Sequence, residues 1–170
     1  LVDDFNVDCV INTGIAGSLN AAIDIGDIVI SSDVLHHDMD ATSFGYPVGQ
    51  VPRMDTLAFP ADQRLIQLAQ EACKRVIPEV GTHEGRVVSG DQLISDKGET
   101  ERIIANFQGF CTEMEGAAIA QTAYLNKVPF VILRAISDKA DDSASVDYPT
   151  FEKQAITNGV KLIKELAANM

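Results

Sequence analysis

The chain has 170 residues, 46% of them hydrophobic and 22% charged, with a net charge of −12. That length and balance suit one soluble globular domain with its own core, and the excess of acid argues against a nucleic-acid backbone or an anionic membrane as the main partner. There is no apolar run of transmembrane length and no signal-peptide pattern. Cys9, Cys73 and Cys111 share no metal-like spacing, so reduced thiols in a cytoplasm are the expectation.

"LVDDFNVDCVINTG" opens on the tail of a helix and passes directly into an apolar strand over residues 7–14. No initiator methionine precedes it, and a longer natural chain starting upstream is expected. "GIAGSLN" reads as a small-residue turn where backbone can approach a ligand closely. A second strand falls within residues 25–38, followed by an irregular loop, "MDATSFGYPVGQVPR", that carries Phe44, Tyr46 and Pro52. Residues 60–76 repeat apolar positions at helical period. "EGRVVSGDQLI" predicts a strand ending in a glycine turn, "KGETERIIANF" a short helix, and "GFCTEME" a brief strand entering the helix "GAAIAQTAYLNK". "VPFVILRAISD" is a strand with Pro129 at its start, where no ladder donor is needed. "ADDSASVDYP" reads as a polar loop, and the rest as an amphipathic final helix from Thr150.

Strands alternate with helices and several strands are continuously apolar. This predicts an α/β, three-layer αβα plan with a mostly parallel central sheet, residues 1–170 forming a single domain. Ligands in such sheets bind beyond the carboxyl ends of the strands. "NTGIAG", "SGDQLI", "EMEG" and "RAISD" all sit at strand ends, and are expected to converge on one edge.

Each segment also has a plain explanation. "TGIAG" is neither a dinucleotide fingerprint nor a P-loop, and serves equally as a structural turn. His36, His37 and Asp38 invite a metal, but neighbours on a strand point to opposite faces and make poor joint ligands. The carboxylates of "EMEG" suit a helix N-terminus; if buried, they need partners, and a pair of sugar hydroxyls would serve. In "RAISD", Arg134 and Asp138 form a structural salt bridge, or Asp138 is an acid at a strand end, oriented by Ser137.

Together, "INTGIAGSL", "VSGDQLI", "TEMEGAAIA" and "VPFVILRAISDKAD" resemble the 5′-methylthioadenosine/S-adenosylhomocysteine nucleosidases of the nucleoside phosphorylase family, in order and over essentially the whole chain. The resemblance implies a nucleoside phosphorylase-like fold, a small-molecule nucleoside substrate and no cofactor or metal. It implies that Asp138 protonates adenine N7, held by Ser137, while Arg134 helps position the water and its acidic partner. Glu115 would accept from the ribose hydroxyls, with Met114 against the sugar and Ala16 and Gly17 lining that side. The backbone of Ile94 would meet the adenine edge, Leu93 the base, and Phe151 the alkylthio end. Phe44 and Pro52 would reach the neighbouring pocket of a homodimer. The family's water-activating glutamate would lie upstream of Leu1. Ile15 and Leu93 depart from the Ser/Thr and Phe that many relatives carry there. Two rivals stand beside this reading. A purine or uridine nucleoside phosphorylase needs a phosphate site, yet Asn12 and Ile15 occupy the positions that supply arginine and serine to phosphate in the hexameric phosphorylases. A non-catalytic nucleoside-binding protein of the same fold would bind without turnover.

Overall fold

The computed structural model describes residues 1–140 and 144–170, and the side chains of residues 1–140 and 151–170. In chain order it comprises α1 (Val2–Phe5), β1 (Val10–Ser18), β2 (Ile28–His36), a 3-10 turn (Thr42–Phe44), β3 (Phe59–Pro60), α2 (Gln63–Val76), β4 (Thr82–Ser89), α3 (Lys97–Phe107), β5 (Cys111–Glu113), α4 (Gly116–Leu125), β6 (Phe130–Asp138) and α5 (Ala144–Asn169).

The α/β class holds, but the expected mostly parallel sheet is mixed. Strands joined through α2 and α3 pair in parallel, β2 with β4 and β4 with β5. The link between β1 and β2, residues 19–27, is too short for a helical crossover. β2 therefore returns antiparallel, against β6 rather than beside β1. β1 runs parallel to β6 and antiparallel to the three-residue β5. Because β2 pairs with both β4 and β6, the order β2-β4-β5-β1-β6 closes on itself, and β3 lies outside on β2.

The strand register explains another difference. "GIAGS" is not a turn: β1 continues to Ser18, with a register shift between Ala16 and Gly17. The small residues leave room for side chains of β6, as described below. Of the expected polar loop "ADDSASVDYP", residues 141–143 lie outside the described residues, and the chain is helical from Ala144. Pro149 thus falls inside α5, where its missing N–H forgoes a single backbone bond.

The larger apolar core packs the ring against α2, α4 and α5, through residues such as Ile30, Ile66, Ala120, Ile132 and Leu162. α2 is capped by Asp62, whose carboxylate accepts from Leu65 N–H at 3.0 Å, and buries Leu65, Ile66, Ala69, Ala72 and Cys73. A second cluster joins Leu35, Val88 and Ile94 to Ile103 and Phe107 of α3, and to Ala140 just past β6. No helix among the described residues is long and apolar enough to cross a membrane.

Candidate active site

β6 is buried along its entire length, so its polar side chains must find partners inside the protein. Asp138, only 5% exposed, closes the strand. Ser137 Oγ donates to its Oδ2 at 2.7 Å, and the Ala140 N–H donates to Oδ1 at 2.8 Å. Ser137 Oγ also lies 3.4 Å from the Ala16 carbonyl on β1. Gly17 faces Asp138 across the ladder. A Cβ on Gly17 would sit 2.7 Å from Asp138 Oδ1 and 2.8 Å from the Ala140 methyl. The carboxyl group occupies the space a side chain would need, so this position in β1 requires glycine.

The salt bridge between Arg134 and Asp138 does not form. Four residues along a strand separate them by about 13 Å. Arg134 instead makes a close ion pair with Glu113 Oε2, lies 3.5 Å from Glu115 Oε2, and donates to Asn12 Oδ1 at 2.5 Å. Its guanidinium crosses Gly14, where a Cβ would fall 1.9 Å from Nη1. Gly14 and Gly17 are thus the two openings in β1 filled by the Arg134 and Asp138 side chains of β6.

Glu113 at the end of β5 is buried and fully engaged. It accepts from the Gly116 N–H at 2.8 and 3.0 Å, from the Glu115 N–H at 3.2 Å, and from Ser89 Oγ in a close contact. Ser89 Oγ in turn accepts from the Ala117 N–H at 2.7 Å. The first helical residue, Gly116, is therefore capped from the preceding strand, since Glu115 at the cap position makes no side-chain cap bond. Glu113 is scaffold for Arg134 and α4, a role the sequence left open. Met114 and Glu115, by contrast, are exposed at the helix mouth, Glu115 with 63% of its side chain free.

Strand ends do converge, though not as a row of parallel carboxyl termini. β5 meets β1 antiparallel only through its first two residues, so Glu113 follows beside Ala16 while Asp138 pairs with Gly17. This gathers Ala16, Gly17, Ser137 and Asp138 at the end of β6, and Arg134, Glu113 and Glu115 farther back along it. Ile94 is buried in the same apolar cluster as Ala140, whose N–H donates to Asp138, and Leu93 beside it is exposed. Phe151 is half-buried on α5. Phe44, 83% exposed, and Pro52 stand on the surface of the 39–53 loop, outside both apolar cores. His36 and His37 do part to different neighbours: His36 Nε2 lies 3.0 Å from Gln121 Oε1, and His37 is buried under Gly90. A cavity of about 950 Å³ is bordered by Arg53, Tyr124 and Phe130, at the far end of β6 from Asp138, and holds none of these groups.

Comparison with known proteins points the same way. The family model described as the phosphorylase superfamily matches residues 1–168. A 5′-methylthioadenosine/S-adenosylhomocysteine nucleosidase of Exiguobacterium sp. AT1b is 42% identical over 164 residues, 96% of this chain and 70% of that protein. The crystal structure of the nucleosidase of that name from Neisseria meningitidis, in complex with methylthio-immucillin-A, superposes with a TM-score of 0.93 at 39% identity, covering 99% of this chain and 73% of that one. The corresponding protein from Colwellia psychrerythraea 34H, in complex with adenine, gives a TM-score of 0.91 at 35% identity, covering 98% and 69%.

Proposed function

We infer the reaction from membership, because this chain belongs to the phosphorylase superfamily and, within it, to the 5′-methylthioadenosine/S-adenosylhomocysteine nucleosidases. It hydrolyses the N-glycosidic bond of 5′-methylthioadenosine and S-adenosylhomocysteine, releasing adenine and the 5-thio-substituted ribose. The ligands of the relatives, adenine and methylthio-immucillin-A, are of the kind this site takes under that reading.

The roles of individual residues are part of the proposal, and one observation carries them. Asp138 is a buried carboxyl at a strand end, with one oxygen on the Ser137 hydroxyl and the other on the Ala140 N–H, facing a strand opened by Gly17. As the bond from C1′ to N9 breaks, its electron pair moves onto the purine, and a proton from Asp138 to N7 neutralises that charge. The sugar left behind is oxocarbenium-like and cationic. Glu115, on the exposed rim, holds the ribose hydroxyls and sets a negative charge beside it. Met114, Ala16 and Gly17 border the sugar, Ile94 and Leu93 the base, and Phe151 the thioether end. Water adds to C1′ and gives up a proton. Glu113 is a poor base for that step, since its oxygens are already committed to Arg134, Ser89 and backbone N–H groups. Arg134 holds the acidic side of the site in place through Glu113 and Glu115.

Water rather than phosphate is the nucleophile in this reading. Asn12 turns its Oδ1 to Arg134, and Ile15 is aliphatic, so this stretch of β1 offers an anion no cation. Residues 1–170 belong to a single nucleosidase domain of a cytoplasmic homodimer, with Phe44 and Pro52 completing the pocket of the second copy. Adenine release from 5′-methylthioadenosine, measured with and without inorganic phosphate, tests the reaction type. Equal rates are expected; a strict need for phosphate overturns it.

A further inference from the structure

His37 directly follows β2 and is 2% exposed, and neither ring nitrogen has a hydrogen-bond partner. Its ring packs on Gly90, where a Cβ would lie 2.5 Å from both Cε1 and Nε2, and 3.0 Å from Asp38 Cγ. Packing alone does not call for imidazole here, because an apolar ring would fill the space without burying two unpaired nitrogens. The surrounding bonds indicate what the residue holds. The His37 N–H donates to the Ser89 carbonyl at 2.8 Å, Asp38 Oδ2 accepts from the Asp91 N–H at 2.8 Å, and the Gly90 N–H donates to the Glu113 carbonyl at 3.2 Å. Residues 89–91 are thus clasped from β2 on one side and β5 on the other. Ser89 braces Glu113, and the same turn leads into Leu93 and Ile94.

We propose that His37 is a positioning residue, which sets the 89–94 turn for purine recognition and releases it when the imidazole is protonated. This rests on the assignment of Leu93 and Ile94 to the base made above. The groups facing the ring are Asp38 beside it and Arg102 and Glu99 on α3. Burial holds its pKa below the ordinary histidine value; Asp38 opposes that shift, Arg102 adds to it, and Glu99 opposes it. The sign follows. A base whose folded pKa is depressed binds fewer protons folded than unfolded. Its contribution to stability is complete above the unfolded value of about 6.5 and is lost as pH falls from there toward the folded value. Acid therefore works against the clasp.

The test compares wild type with His37→Ala, His37→Phe and Gly90→Ala. Affinity for adenine and 5′-methylthioadenosine is measured by calorimetry from acid to neutral pH, and amide exchange is followed across residues 89–94. His37→Ala, which empties the space the ring fills over Gly90, is expected to weaken binding about tenfold and to speed exchange in the turn but not in α2. Gly90→Ala, which drives the ring away, does the same. Wild-type affinity falls on the acid side of the ordinary histidine range, because the buried imidazole takes its proton only below it, whereas His37→Phe, which fills the space but takes no proton, keeps its neutral affinity and loses that acid limb. An unchanged acid limb in His37→Phe overturns the proposal, as does wild-type affinity and exchange in His37→Ala. Wild-type protein that binds neither ligand overturns the purine reading, and the exchange comparison still decides whether His37 holds the turn.

Discussion

Replacing Glu113 with alanine strips Arg134 of its closest partner while leaving the guanidinium buried. Breaking a buried ion pair from one side costs about 3–5 kcal/mol. The same carboxylate caps α4 through the Gly116 N–H, worth about 1 kcal/mol more. The expected loss is roughly 4–6 kcal/mol, a large part of the 5–15 kcal/mol that typical domains possess. At about 2–4 °C per kcal/mol for a chain of this size, Tm should fall by roughly 10–20 °C. Urea unfolding followed by circular dichroism gives the free energy, and calorimetry gives the midpoint. Glu113→Gln keeps one acceptor oxygen, enough for Ser89 and Gly116, but loses the charge and the second acceptor, and its stability should fall between those of wild type and Glu113→Ala. Adding Arg134→Met to Glu113→Ala should recover stability, because it removes the orphaned cation. A loss in Glu113→Ala of under about 1 kcal/mol, as for an exposed pair, would refute the view that this pair organises the site's floor.

Gly17→Ala places a methyl 2.7 Å from Asp138 Oδ1 and should displace the carboxyl by a fraction of an ångström to an ångström. Misplacement on that scale costs about a hundredfold in rate, so adenine release should collapse in a chain that still folds; unimpaired turnover contradicts the steric argument. The thiols give an independent check of the core. Burial pushes Cys111 far above an ordinary thiol and raises Cys73 as well, while half-buried Cys9 is raised by burial and by Asp8. Alkylation of the native protein at mildly alkaline pH should therefore mark Cys9 slowly and spare the other two until denaturant is added. Rapid native labelling of Cys111 would show that β5 is not packed as described.

The elements that sequence reading located well are those with a strong local signal. "KGETERIIANF" is helical over Lys97–Phe107 as expected, and Phe130–Asp138 is the buried strand that its apolar run implies. The two-residue β3 carries too short a pattern to register. "GIAGS" was misread because glycine signals a turn locally. Here Gly14 and Gly17 answer to side chains of Arg134 and Asp138, more than a hundred residues away. The mixed sheet was hidden for a similar reason. Alternating strands and helices suggest parallel pairing, and only the short link at residues 19–27 hints that β2 must turn back. At the site, Glu115 was singled out by the resemblance, whereas the position of Ser137 and Asp138 at the end of a buried strand was legible in the sequence. The division of labour between the acids was not: Glu113 and Glu115 are near neighbours in sequence, and only burial separates scaffold from rim.

The central claim is that Asp138 supplies the proton that lets adenine leave, and Asp138→Asn tests it most directly. The amide matches the carboxyl in shape and keeps an oxygen for the Ala140 N–H, so affinity for 5′-methylthioadenosine should stay within about tenfold of wild type. Adenine release should fall by roughly 10²–10⁴-fold, the usual worth of a general acid. Turnover near the wild-type rate in that variant, with binding intact, would remove Asp138 from the chemistry.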